Sequence, residues 1–208
     1  IKNFQKEFDY MFISNFRSNP KNLDDKKNVV DSTKFFLNIL SEFCDKENKK
    51  FCIAGVYKRQ DKKKYSKAYL NEEKEFYKTN GSNFELRDED SFELAQKSNV
   101  CVCTHSNLGF QLLSRGHKVI FLNRDEDMFK WHFMTKSNSG DFWYQGQNKQ
   151  EIFKKLEDLL NMNKDTWLKI LKRTNVAMKF DPGNKILKTL LQNVLKKQNN
   201  LFYGNKNR

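Results

Sequence analysis

The sequence predicts an α/β fold with a parallel sheet covered by helices on both faces. Three observations carry that prediction. Short apolar runs with turn residues at their ends recur along the chain, as buried parallel strands require. Amphipathic stretches with helical spacing separate them. The resulting order, β-α-β-α-β-α-β-α-β followed by helices, is the order of a doubly wound sheet.

The first strand is "FDYMFISNF" (8–16), which ends at "RSNPKN", where Pro20 and the asparagines mark a loop. In "NVVDSTKFFLNILSEFCDKENKK" the residues Val29, Val30, Phe35, Phe36, Ile39, Leu40 and Phe43 recur at helical spacing. "FCIAGVY" (51–57) is a second buried strand. "KAYLNEEKEFYKTNG" reads as a helix closed by Gly81, with Asn80 just before it. "NFELRDED" offers a brief strand, and "SFELAQKSN" a short helix with Ser91 as its N-cap. Strand "VCVCT", helix "NLGFQLLSRG" and strand "KVIFLN" follow. Residues 124–146 read as irregular and aromatic-rich. Beyond them come helices in "NKQEIFKKLEDLLN" and "DTWLKILKRTNVAMKF", the turn "DPGN", and a last helix "KILKTLLQNVLKK".

Composition narrows the class. The 208 residues are 38% hydrophobic and include 19 Phe, enough for a packed core without disulfides. No stretch reaches the roughly 18 consecutive apolar residues of a membrane span. Cys44, Cys52, Cys101 and Cys103 show no metal-ligand spacing and read as small buried hydrophobes. The net charge of +13 invites a nucleic-acid reading, but the lysines are spread along the whole chain, without an aromatic–basic recognition motif. The denser cluster "YKRQDKKKYSK" (57–67) and the basic tail fit a solvated face or contact with an anionic membrane. A chain that starts at Ile1 and enters a strand almost at once is expected to be part of something longer.

In an open parallel sheet, ligands lie beyond the carboxyl ends of the strands. "THSNLG" (104–109) stands at such an end, where a helix N-terminus presents unpaired N–H groups and a partial positive charge. Hydrogen bonds from such groups to a charged acceptor are each worth about 1.5–3 kcal/mol. Ser106 can cap the helix or donate to a phosphate, and Asn107 adds an amide. Gly109 lets a ligand or a neighbouring strand approach closely. His105 reads either as a phosphate donor or as an ordinary loop residue. The turn is neither a Walker A loop nor a G-x-G-x-x-G fingerprint.

"SFELAQKSNVCVCTHSNLGFQLLSRGHKVIFLN" resembles the pattern of bacterial surface-carbohydrate transferases with the GT-B glycosyltransferase fold. The likeness continues through "GDFWYQGQNKQEIFKKLEDLLNMNKDTW" and returns in "FDPGNKILKTLL". Two departures stand out: His105 replaces an acid usual in the family, and Gln111 replaces a glutamate and carries no charge.

The resemblance implies a single Rossmann-like domain over 1–208, the C-terminal, donor-binding half of a GT-B enzyme. The acceptor half would be absent, and 185–208 would form a terminal helix and basic tail. It implies transfer of a sugar from a nucleotide-activated donor to a glycan or lipid-linked glycan acceptor, in the cytoplasm or at the inner membrane face. No metal or other cofactor is expected, and no catalytic base can be named. Thr104, His105, Ser106, Asn107, Leu108, Gly109 and Arg17 would hold the donor phosphates. Ser14, Lys58, Arg59, Leu86, Arg87 and Gln111 would meet the base or sugar. Asp181 to Asn184 are either a turn and helix cap or a loop that returns to the donor site. Trp131, Phe142 and Trp143 form either a flap over the sugar or an aromatic cluster beneath a loop. The rivals are a nucleotide-sugar epimerase or hydrolase of the same architecture, and a non-catalytic basic module that binds polyanions.

Overall fold

In a computed structural model the chain is described over residues 5–16, 26–55, 66–87, 89–127, 130–174, 185 and 188–193. It divides into two compact units, Ile1–Met178 and Lys179–Arg208. In the first, seven strands form one sheet in the order β3-β2-β1-β4-β5-β7-β6. The strands are β1 (Phe8–Ile13), β2 (Phe51–Ala54), β3 (Phe84–Arg87), β4 (Ser98–Cys103), β5 (Lys118–Asn123), β6 (Ser139–Gly140) and β7 (Trp143–Gln145). All neighbouring pairs are parallel except β6–β7. The fold is therefore α/β and Rossmann-like, as the alternation of apolar runs and amphipathic stretches predicts.

Its helices are α1 (Ser32–Lys46), entered through a π-helical stretch Lys26–Asp31, α2 (Lys67–Asn80), α3 (Ser91–Lys97), α4 (Asn107–Ser114), α5 (Lys149–Asn161) and α6 (Lys164–Thr174). The central strands are buried almost throughout, with Met11, Phe12, Ile53, Val100, Val102, Ile120 and Phe121 fully enclosed. α1 and α5 meet through an edge-on Phe43–Phe153 contact, and the Tyr10 hydroxyl donates to the Leu156 carbonyl of α5 at 3.0 Å. Lys118 closes the C-terminus of α5, its Nζ donating to the carbonyls of Leu159 (2.9 Å), Leu160 (3.2 Å) and Met162. A cation there answers both the orphan carbonyls and the helix dipole. In the second unit residues 185 and 188–193 are helical.

Local details differ from the sequence reading in two places. The N-cap of α3 is Asp90, whose side chain accepts from the Phe92 N–H at 2.8 Å; Ser91 is buried as the first helical residue. Either residue can cap, and the carboxylate is the stronger acceptor beside a helix N-terminus. Residues 124–146 are not wholly irregular, because β6 and β7 extend the sheet beyond β5. Gly81 does follow α2, in extended backbone (φ −147°), its N–H bonded to the Tyr77 carbonyl. The "DPGN" turn lies outside the described residues.

Trp131, Phe142 and Trp143 belong to an aromatic cluster packed on β5. Trp131 lies 4.8 Å from Phe110 and 5.4 Å from Phe121, and Phe142 stacks edge-on against Trp143 and Trp167. Trp131 and Phe142 are buried, and the Trp131 Nε1–H donates to the Thr104 carbonyl at 2.8 Å. Of the two sequence alternatives, these contacts match the aromatic cluster.

Candidate functional site at the carboxyl ends of β1, β4 and β5

Strand order reverses beside β1: the chain moves outward to β2 and β3, then crosses back to β4 on the other side. Such a reversal splays the following segments apart and opens a crevice at the carboxyl edge. Two polar knots occupy that edge.

The first joins β1 to α2. Ser14 Oγ donates to Glu73 Oε1 at 2.9 Å, and accepts from the Tyr77 hydroxyl and from the Phe16 N–H (3.2 Å). Glu73 is buried, and its carboxyl covers the end of β2. A Cβ on Gly55 would stand 3.0 Å from Glu73 Oε1, so the absence of a side chain makes room for that carboxylate. Burial, with Glu73 adding to it, pushes the Tyr77 hydroxyl well above its ordinary pKa.

The second knot joins β4, β5 and α1. Asn15 donates to Thr104 Oγ1 at 3.0 Å, across the switch point itself. His105 Nε2 lies 3.3 Å from Asn123 Nδ2 and 3.7 Å from Asp127 Oδ2. Asp127 is fully buried. Its carboxylate accepts from Ser32 Oγ (2.8 Å), the Arg124 N–H (2.8 Å), and Arg124 Nε and Nη2 (3.1 and 3.0 Å). A buried carboxylate is tolerable only with such full pairing. The knot fixes the N-terminus of α1 and the turns after β4 and β5 to one another.

Between these turns stands the N-terminus of α4. Ser106 is its N-cap, accepting from the Leu108 N–H at 3.3 Å, and the Gly109 N–H bonds to the Ser106 carbonyl at 3.0 Å. Among the described residues the Ser106 hydroxyl hydrogen, the Asn107 N–H and the exposed Asn107 amide meet no protein acceptor. Three donors at a helix N-terminus are thus left for an anion. The reason for Gly109 is also plain. A Cβ there would lie 2.6 Å from Cys103 Sγ and 2.8 Å from Phe121 Cε1, so the close approach is that of α4 to β4 and β5.

The expected site residues divide accordingly. Ser14, Thr104, His105, Ser106, Asn107 and Gly109 are all placed at this edge. Leu108 is half-buried against the core, and Gln111 is exposed on α4. Leu86 and Arg87 end β3, at the far side of the sheet. Leu86 packs on the core, and Arg87 forms an ion-pair network with Glu89, Glu85 (3.1 Å) and Glu7 (3.4 Å), which Lys97 joins. In that network the Arg87 hydrogen bonds, and then Lys97, pull Glu89 down to about 2. Arg17, Lys58 and Arg59 lie outside the described residues. Sequence reading missed Asn15, Ser32, Glu73, Tyr77, Asn123, Arg124 and Asp127. Asn123 alone left a signal, as a polar residue ending an apolar strand.

An open groove of about 490 Å³ runs between α1, α2 and the start of α5, lined by Lys34, Asn38, Glu42, Asn80 and Gln147 among others. It contains none of the carboxyl-edge residues.

A family model described as "putative O-antigen biosynthesis protein" matches residues 1–195. The chain belongs to that family. Its relation to surface-carbohydrate biosynthesis, inferred from three motifs, is thereby established at family level. Comparison with curated proteins finds no match. Among the described residues no helix is long and apolar enough to cross a membrane.

Proposed function

We propose that this chain is the donor-binding domain of a glycosyltransferase that acts in O-antigen assembly. One observation carries the reading: the three uncommitted donors of Ser106 and Asn107 stand at the N-terminus of α4, beside the switch point between β1 and β4. A nucleotide diphosphate seated there has its charge answered by N–H, O–H and amide donors. Those donors also offset the charge that builds on the leaving nucleotide during transfer. Ser14 Oγ is fully engaged by Glu73, Tyr77 and Phe16, so its part is to hold the end of β1 in shape. No general base is assigned. The partners of this reading are a nucleotide-sugar and a glycan or lipid-linked glycan acceptor. It locates the chain in the cytoplasm, with lysines available to an anionic membrane face.

The test is calorimetric titration of the parent and the Ser106→Ala/Asn107→Ala double variant with nucleotide diphosphates. The parent is expected to bind with a Kd on the order of 0.1–1 mM, since half a cleft leaves much of the ligand hydrated. The folded double variant is expected to bind at least tenfold more weakly. Equal binding by both would remove the phosphate role.

The pairing of His105 with Asp127 at this edge gives support to the epimerase or hydrolase reading, which needs acids and a histidine near the sugar. Release of free sugar or of an epimer, without any acceptor present, would favour that reading over transfer.

A further inference from the structure

We infer that the groove along α1 and α2 is a binding site for an uncharged saccharide chain. This site is separate from the donor edge, and its ligand is held there whether or not a nucleotide binds at Ser106.

Lys34, Asn38 and Glu42 stand on successive turns of α1 and form one exposed stripe. Thr79 and Asn80, from the last turn of α2, and Gln147 and Lys149, at the entry to α5, complete the groove of about 490 Å³. A second hollow of about 350 Å³ shares Asn38, Glu42, Thr79 and Asn80 with it and extends to Asp45 and Ser82. Pockets of about 300–1,000 Å³ take ligands of drug size, comparable to a few sugar rings. An open groove, unlike a closed pocket, also lets a chain run on past its ends. One end meets the second polar knot, because Gln147 donates to Glu126, which pairs with Arg124 at 3.0 Å.

The lining selects the chemistry of the ligand. The chain carries a net charge of +13, yet the charged groups along this track are Lys34 and Lys149 against Glu42 and Asp45, and Lys149 is ion-paired to Glu42. A polyanion, whose binding depends on a surplus of cations, meets none here. The track offers amides and a hydroxyl instead. Among the described residues the Asn38 amide and the Thr79 hydroxyl make no hydrogen bond. Asn80 commits Nδ2 to the Phe76 carbonyl at 2.7 Å and keeps its amide oxygen available. Amides and hydroxyls both donate and accept, as the neighbouring hydroxyls of a sugar ring do. The half-buried Phe35 and, one turn on, Ile39 add an apolar strip, which suits the C–H face of a pyranose. A purely apolar ligand would strip water from the amides and return no hydrogen bond.

The probes are uncharged hexasaccharides: maltohexaose, cellohexaose, mannohexaose and N-acetylchitohexaose. Each is titrated into the nitrogen-15-labelled chain, with affinity read from amide shifts and the site read from the side-chain amides of Asn38, Asn80 and Gln147. Substitution of each in turn identifies its signal. We expect saturable binding of at least one probe, with a Kd on the order of 1 mM, as an open groove gives. Shifts should be largest at the three amides, and affinity should be unchanged between 50 and 300 mM salt. Asn38→Ala/Thr79→Ala removes only exposed groups without intramolecular hydrogen bonds and should bind about tenfold more weakly. Asn38→Arg, which fills the groove, should abolish binding and decides alone if the double variant does not fold. Ser106→Ala/Asn107→Ala should bind the hexasaccharide as the parent does. The inference is overturned if no probe binds saturably, if the three amides stay unmoved, or if the groove variants bind as tightly as the parent. Loss of hexasaccharide binding in Ser106→Ala/Asn107→Ala alone also overturns it, by placing the sugar at the donor edge. Failure of nucleotide-sugars to bind, with hexasaccharide binding intact, overturns the donor-site reading and leaves this groove standing.

Discussion

Gly109→Ala puts a methyl group where α4 rests on the sheet, 2.6 Å from Cys103 Sγ, 2.8 Å from Phe121 Cε1 and 3.1 Å from Cys103 Cβ. Both neighbours are completely buried. Phe121 is also hemmed in by Phe110, Trp131, Phe133 and Phe142, at centroid distances of 5.0, 5.4, 5.3 and 6.3 Å. Neither can move aside without disturbing the aromatic cluster. Overpacking of this kind costs about 1–3 kcal/mol. The better helix propensity of alanine returns about 0.5–1 kcal/mol. The net expectation is destabilisation of about 1–2 kcal/mol, read as a drop of about 0.5–1 M in the urea midpoint. Because the strain falls within the first turn of α4, the same variant should lose nucleotide affinity. Cys103→Ala removes the nearest atom but leaves Phe121 in place, so the Gly109→Ala cost measured in that background should shrink without vanishing. A Gly109→Ala variant as stable as the parent, in either background, would refute the packing of α4 on β4 and β5 described above.

Acid should weaken the fold in two stages. Burial, together with Lys6 and Arg115, lowers His117 to about 4. It is therefore neutral in the native state, and its contribution is present above about pH 6.5 and lost as pH falls toward 4. Glu89, held at about 2 by Arg87 and Lys97, contributes above the ordinary glutamate range and loses that contribution between about pH 4.5 and 2. Urea midpoints measured from pH 8 to 2 should show His117→Gln and Glu89→Gln flattening separate parts of the profile. Ser106→Asp should keep the N-cap and hence the stability of α4, while repelling phosphate; a variant that binds as the parent does would contradict an anion site there. Asp127→Ala leaves Arg124 without its buried carboxylate and should cost on the order of 3 kcal/mol by chemical denaturation. A neutral result would show that the knot does not hold the edge together.

The strands β1, β2, β4 and β5 were legible because parallel strands buried on both faces read as near-continuous apolar runs, "FCIA" and "KVIFLN" most clearly, whereas the edge strand β3, "FELR", is only partly buried and showed as a brief alternation of apolar and charged residues. β6 and β7 were not, since strands of two and three residues are too short for any pattern to emerge. The helix N-terminus of the candidate site was legible from Ser106 and Asn107 after an apolar strand. Its buried surroundings were hidden for a physical reason. Glu73 sits in "NEEKEF", where one carboxylate is indistinguishable from those of a solvated helix face, and Asp127 sits in "NRDED", which reads as an acidic turn. Only tertiary packing makes Ser14, itself held by the Tyr77 hydroxyl, select the first, and Arg124 and Ser32 the second. Gly109 shows the converse. Its presence signalled a close approach, and the structure identifies the sheet as the neighbour.

The most direct test of a nucleotide-sugar site at this edge is ligand-observed NMR at moderate salt, with the purified chain against CMP, UDP, GDP and the matching sugar nucleotides. The account predicts saturable binding with a preference for one base, abolished in the Ser106→Ala/Asn107→Ala variant. Equal binding of every anion, weakening steeply with salt in parent and variant alike, would contradict it and leave the turn at Ser106 as a helix cap on a basic domain.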